Sequence, residues 1–248
     1  MKRLCCGFLM CCLAACTTLP PTPVPYLAYP AQSALPEAEK TLLIVLPGVG
    51  DSAASFAQQG LLAALRAQPA LAARVDVWSV DMSFPYYQQR LFLPRMQADI
   101  MAHAQQRGYR QVCLLGVSLG GFGALLYAAK HPTQARCLIL FAPYLGSEAS
   151  LDGIAAAGGL AYWRRPADLN ERDERYIWPF LQGYLHRATP TPTLFLLYGE
   201  GDRFAPALET LHPLIPAAQR LTQPGGHNWV VWRALWIRWL TTHGANFL

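Results

Sequence analysis

Charge is scarce in this 248-residue chain: Asp, Glu, Lys and Arg make up 14% of it, against 53% hydrophobic residues. Such a chain has enough apolar surface to build a sizeable core, so overall disorder is excluded. The basic residues are scattered and the formal charge is a mild +5, which leaves no signature of nucleic-acid binding. No two cysteines stand at C-x-x-C spacing, so no metal site is expected. The first apolar stretch, residues 4–15, is too short to span a bilayer as a helix. The length fits one α/β domain and is too short for two comfortable ones.

What is present begins at the N-terminus. Lys2 and Arg3 precede the apolar stretch, and small residues follow it, the order of a secretory signal. The stretch ends Leu13-Ala14-Ala15-Cys16, which resembles the lipobox of bacterial lipoproteins. The resemblance implies a signal peptide over 1–15, cleavage before Cys16, and a diacylglycerol thioether on that cysteine. With Thr17 next, it implies the outer membrane, facing the periplasm. Removal of Lys2 and Arg3 lowers the formal charge from +5 to +3, since no acid lies in the leader. Of the seven cysteines, five lie at or before Cys16 and only Cys113 and Cys137 belong to the folded part. These two sit early in neighbouring strand candidates. A disulfide is conceivable in an oxidising compartment, but two buried free thiols are the expectation, because cysteine is often a core residue.

Residues 16–40 read as a lipidated, proline-rich tether. Six prolines fall between Thr17 and Pro36 with almost no charge, which favours extended geometry over helix or sheet interior. For the second half, an arm packed onto the domain through Tyr26 and Tyr29 is an equal alternative. Residues 41–248 then alternate. Strands are expected at 41–46, 75–80, 112–117, 137–141, 193–198 and 219–222. Helices are expected at 52–68, 94–107, 121–130, 206–212 and 229–241. This rhythm predicts a parallel sheet covered on both faces, with ligands at the carboxyl ends of the strands. Residues 143–192 break the rhythm with aromatic residues, arginines, Pro and Gly and a poor helical pattern. A long insertion there reads as a lid or substrate pocket, or as a packed cap without substrate contact.

The most informative motif is Gly116-Val117-Ser118-Leu119-Gly120. By composition alone it arises in on the order of one chain in ten of this length. Its context is what specifies it: an apolar strand before, and small residues at Gly120, Gly121, Gly123 and Ala124 after. A serine on such a strand-to-helix turn is lifted clear of the sheet. The bland alternative is a serine that merely caps the helix. A serine nucleophile needs a base, and the base an orienting partner. His227, in the turn Gly225-Gly226-His227-Asn228, is the best-placed base. His103, His131, His186, His212 and His243 read as structural or solvated. Asp202, in Gly199-Glu200-Gly201-Asp202, is the expected acid, with Glu200 as runner-up and an ordinary turn aspartate as the alternative. The oxyanion donors expected are the backbone amides of Leu119 and of Val49, the latter in the loop Pro47-Gly48-Val49-Gly50.

These motifs together resemble the α/β-hydrolase family, of the small bacterial esterase kind, from about Thr41 to the C-terminus. The resemblance implies an α/β-hydrolase fold, an acyl-enzyme intermediate and no cofactor. It implies Ser118 as nucleophile, His227 as base and Asp202 as its orienter. Two departures stand out. Pro47 replaces the family's usual histidine before the oxyanion glycine, which leaves the donor open. Little room precedes Thr41 for the opening antiparallel hairpin, so a sheet short by one or two strands is expected. The reading is thus a lipid-anchored serine hydrolase cleaving a carboxylic ester, with an apolar or aromatic acyl substrate suggested by the insertion. The same groups would serve a thioesterase, lipase or peptidase. A catalytically silent binding or scaffold protein of the envelope is the alternative from another class. The four tryptophans of 229–239 suit packing against the sheet better than a membrane interface.

Overall fold

A computed structural model describes residues 20–186 and 192–248. The signal segment, Cys16 and Thr17 therefore lie outside the described residues. Seven strands form one sheet: β1 (Tyr26–Tyr29), β2 (Thr41–Leu46), β3 (Val75–Val80), β4 (Gln111–Val117), β5 (Cys137–Phe141), β6 (Thr193–Gly199) and β7 (Arg220–Gln223). Their spatial order is β1-β3-β2-β4-β5-β6-β7. All neighbours are parallel except β1, which runs antiparallel to β3 with Tyr26 opposite Val80.

Successive residues of a strand point to opposite faces. Every residue of β2, β3 and β5 is buried, so both faces of the sheet are covered. The helix Leu119–Lys130 packs on β4, β5 and β2 and meets the helix Ile177–His186. The helix Trp229–Trp239 packs on β6 and β7 beside the helix Leu61–Arg66. Trp232, Trp236 and Trp239 are buried there, and the Trp236 indole N–H donates to the Leu61 carbonyl at 2.9 Å. These side chains are core, as their helical spacing suggests. Among the described residues no helix is long and apolar enough to cross a membrane.

Of the two readings of the second half of residues 16–40, the structure takes the arm packed through Tyr26 and Tyr29, and not the tether. Residues 20–40 are docked on the domain, and they supply the antiparallel strand that the sequence left little room for. Val24 is buried, and its N–H donates to the Asp99 carboxylate at 3.0 Å. The Tyr86 hydroxyl donates to the Pro21 carbonyl, and Tyr26 stacks on Trp78 at 4.7 Å. Buried Asp76 receives the Ala31 N–H and pairs with Lys40 at 3.5 Å. The segment thus has apolar and polar partners that composition could not reveal.

The sheet also joins Cys113 to Cys137 in a disulfide, where free thiols had been the expectation. The two residues are direct register partners on β4 and β5, and their Cα atoms lie 4.7 Å apart. That separation is inside the range a disulfide can bridge.

Candidate active site

β4 ends at Val117 and a helix starts at Leu119, so Ser118 alone makes the turn. It does so at φ 51° and ψ −111°, a region a side-chain-bearing residue avoids at a cost of about 1–3 kcal/mol. Neighbours fix it there. Its N–H donates to the Phe141 carbonyl at 2.8 Å, and its carbonyl accepts the Tyr144 N–H at 3.0 Å. The flanking glycines are steric necessities. A Cβ on Gly120 would lie 2.2 Å from the Leu46 carbonyl oxygen, and one on Gly116 would lie 2.3 Å from that of Gly120.

Asp202 follows β6 and His227 follows β7, so three strand ends deliver three side chains to one place. The His227 Nε2 lies 3.0 Å from the Ser118 Oγ. Its Nδ1 lies 2.8 Å and 3.0 Å from the two Asp202 oxygens. Asp202 is buried, and its Oδ1 also accepts the Phe204 N–H at 2.8 Å. An ionised carboxylate only accepts, so the proton belongs on Nδ1, which leaves the Nε2 lone pair facing the serine hydroxyl. Asn228 caps the next helix by accepting the Val231 N–H at 3.1 Å, which ends the loop that presents His227. Glu200, the runner-up acid, turns outward and accepts from the Thr222 hydroxyl at 3.1 Å.

The loop after β2 lies against the serine: a Cβ on Gly48 would sit 3.6 Å from the Ser118 Cβ. Val49 follows, with its side chain 64% exposed. Asp51 ties this loop to the His227 side by accepting from the Trp229 indole N–H at 3.2 Å. Leu119 opens its helix, where backbone N–H groups have no intrahelical partner. Both expected donor stretches therefore border Ser118.

A family model described as the alpha/beta hydrolase fold matches residues 41–166. The chain belongs to the alpha/beta hydrolase family. No curated protein matches this hydrolase by sequence. Among solved structures it is similar to the S-formylglutathione hydrolase of Staphylococcus aureus, at 14% identity and a TM-score of 0.56, covering 84% of this chain and 82% of that one. It is also similar to a peroxisomal alpha-beta-hydrolase of Saccharomyces cerevisiae, at 15% identity and a TM-score of 0.58, covering 90% and 82%. A third is a monoacylglycerol lipase of Paleococcus ferrophilus, at 13% identity and a TM-score of 0.54, covering 89% and 99%. At these identities the likeness establishes the fold.

Several residues around this hydrolase's serine were not singled out from sequence. Phe204 and Trp232 meet the His227 ring edge-on, at 5.0 Å and 4.8 Å, and so hold the imidazole from two sides. Tyr144 stands between Phe204 at 6.1 Å and Phe122 at 5.8 Å. The one sequence hint was position: Phe204 lies two residues beyond Asp202, and Tyr144 three beyond the end of β5. The Tyr144 hydroxyl donates to Glu174 at 2.8 Å, and Glu174 also accepts the hydroxyls of Ser147 and Ser150. Burial pushes the Glu174 carboxyl up, but these donors and the Ser147 N–H outweigh it and leave it below its ordinary value.

The remaining described imidazoles have other partners. His103 stacks on Trp78, His131 lies against Tyr127, His212 meets the Tyr198 hydroxyl, and His243 meets the Thr242 hydroxyl. The side chain of His186 lies outside the described residues. Among the described residues no group of three or more His, Cys, Asp or Glu is placed to hold a metal ion.

Proposed function

We propose that this alpha/beta hydrolase is a serine esterase that cleaves a carboxylic ester through an acyl-enzyme intermediate. One observation carries the reading: the unbroken chain of hydrogen bonds from Ser118 Oγ through His227 to buried Asp202. In the proposed reaction His227 Nε2 takes the Ser118 proton as Oγ bonds to the ester carbonyl carbon. The carbonyl electron pair moves onto its oxygen, where the Leu119 and Val49 amides stabilise it. Collapse expels the alcohol, which leaves with the proton from His227. Water then repeats the sequence on the acyl-enzyme, returning the acid and free Ser118. Asp202 stays ionised and holds the imidazole in the required tautomer. The strained turn at Ser118 supports the reading further, since such strain collects at functional sites.

A fluorophosphonate probe tests this directly. Wild type should be labelled covalently and Ser118→Ala should not. An unlabelled, folded wild type would favour a silent binding protein on the same fold.

We also propose that the enzyme is anchored in the bacterial envelope through a lipid on Cys16. The leader composition supports this, and the Cys113–Cys137 disulfide suits an oxidising compartment. Cys16→Ser should release the protein into the soluble periplasmic fraction, whereas retention in membranes would count against lipidation.

A further inference from the structure

A cavity of about 710 Å³ opens against the helix that follows the proposed nucleophile, within the range typical of small-molecule sites. Ser118 does not line it. Phe122 and Leu126 do, and both lie on the helix that starts immediately after Ser118. At 1.5 Å per residue, they stand roughly 6 Å and 12 Å along that helix from the serine. The rings of Phe122, Tyr144 and Phe204 run in successive contacts from the cavity wall to the His227 imidazole. A run of packed rings thus leads from one cavity-lining residue, Phe122, to His227.

The cavity also has a charged lining. Glu171, Asp173 and Glu174 line it, together with Arg90 and Arg172. Each acid is already engaged: Glu171 with Lys130 at 3.1 Å, Asp173 with Arg175 at 2.6 Å, and Glu174 with its three hydroxyl donors. Neither arginine makes an ion pair among the described residues. The Lys130 hydrogen bond leads the causes that hold the Glu171 carboxyl below its ordinary value, and Arg172 is the least of them. Arg90 holds a left-handed backbone at φ 59°, and its guanidinium donates to the Arg172 carbonyl at 2.6 Å. That bond clips the segment before the Phe92–Arg95 helix to the insertion and holds the two cavity-lining arginines next to each other.

We infer that this cavity takes an acyl group whose far end carries an oxyanion, a carboxylate or a phosphate, received by Arg90 and Arg172. The inference rests on the serine-esterase reading for its orientation. The acyl part stays bonded to Ser118 through the second half of the reaction, so a walled cavity suits it, while the leaving group needs an open side. An apolar and aromatic near wall suits the methylene or aryl spacer. A guanidinium presents paired donors that match either oxyanion.

The test uses p-nitrophenyl esters of one acyl length ending in a carboxylate, a phosphate or a methyl group. Wild type should prefer at least one anionic ester over the methyl-ended one by tenfold or more in kcat/KM, and the larger ratio identifies the oxyanion. Arg172→Gln and Arg90→Asn should each lower that ratio about tenfold, chiefly through KM. Asparagine is chosen at position 90 because it tolerates a left-handed backbone. No preference in wild type, or a ratio unmoved in both variants, would overturn the inference and leave the esterase reading intact. Binding of the same esters to Ser118→Ala, followed by tryptophan fluorescence, separates the two ideas. Arginine-dependent binding of an anionic ester without any turnover by wild type would keep the cavity assignment and sink the esterase. Absence of both binding and turnover would sink both.

Discussion

Ser118 sits where an L-residue is strained, and its flanking glycines are there because other atoms occupy the space a Cβ would need. Gly120 faces the Leu46 carbonyl oxygen, part of the central sheet, which cannot retreat as a flexible side chain could. Gly120→Ala should therefore lower stability by about 3 kcal/mol or more, read from urea unfolding. Retention of wild-type stability would mean the turn is less crowded than described. Ser118, Asp202 and His227 stood out in sequence as candidates because each follows a strand and lies among glycines. Phe204, Trp232 and Tyr144 were not legible. Their role depends on which strand ends lie side by side, and no local pattern encodes that. Gly123 was read as one of the small residues that follow the serine motif. The structure places it against the Tyr87 hydroxyl and Phe92 ring.

Element boundaries divide along the same line. β2, β3 and β5 were legible to the residue because each is a short apolar run closed by turn residues. The single helix expected over 52–68 is two short ones, Ser55–Gln58 and Leu61–Arg66. Gly60 separates them at φ 78° and packs close to Arg233, a contact from the far end of the chain. Among the described residues of the insertion two α-helices form, Glu148–Ala156 and Ile177–His186. The second tolerates Pro179 because its first turn needs no N–H from that residue. Glu174 ties these elements to the loop over Ser118. Its folded carboxyl is held below the ordinary value of 4.5. The stabilisation it gives is thus complete above the unfolded pKa and is lost as pH falls through the lower, folded one. Limited proteolysis should find the insertion protected at neutral pH and increasingly cleaved in acid. Glu174→Gln should be cleaved more readily at neutral pH, with a shallower response to acid. Equal pH responses in the two proteins would remove Glu174 from this role.

For the molecule as a whole, the disulfide fastens two central strands, β4 and β5, across a separation of 24 residues. A loop of that size restricts the unfolded chain enough to be worth about 3 kcal/mol. Reduction, or Cys113→Ser with Cys137→Ser, should lower unfolding stability by about that amount, measured in urea with and without reductant. No change would mean the thiols are free in solution. The architecture itself was legible from the alternation of strand and helix patterns. The N-terminal arm was legible only as one of two alternatives, because its proline-rich surroundings also read as a spacer and its partner β3 lies some fifty residues away.

That docked arm has a geometric consequence for the proposed anchor. Among the described residues the first hydrogen-bonded point is the Pro21 carbonyl, held by Tyr86, five residues after Cys16. Five residues reach no further than about 18 Å even when fully stretched. An enzyme on so short a leash would work against the bilayer surface, on molecules that come to the membrane, and could not sweep the depth of the periplasm.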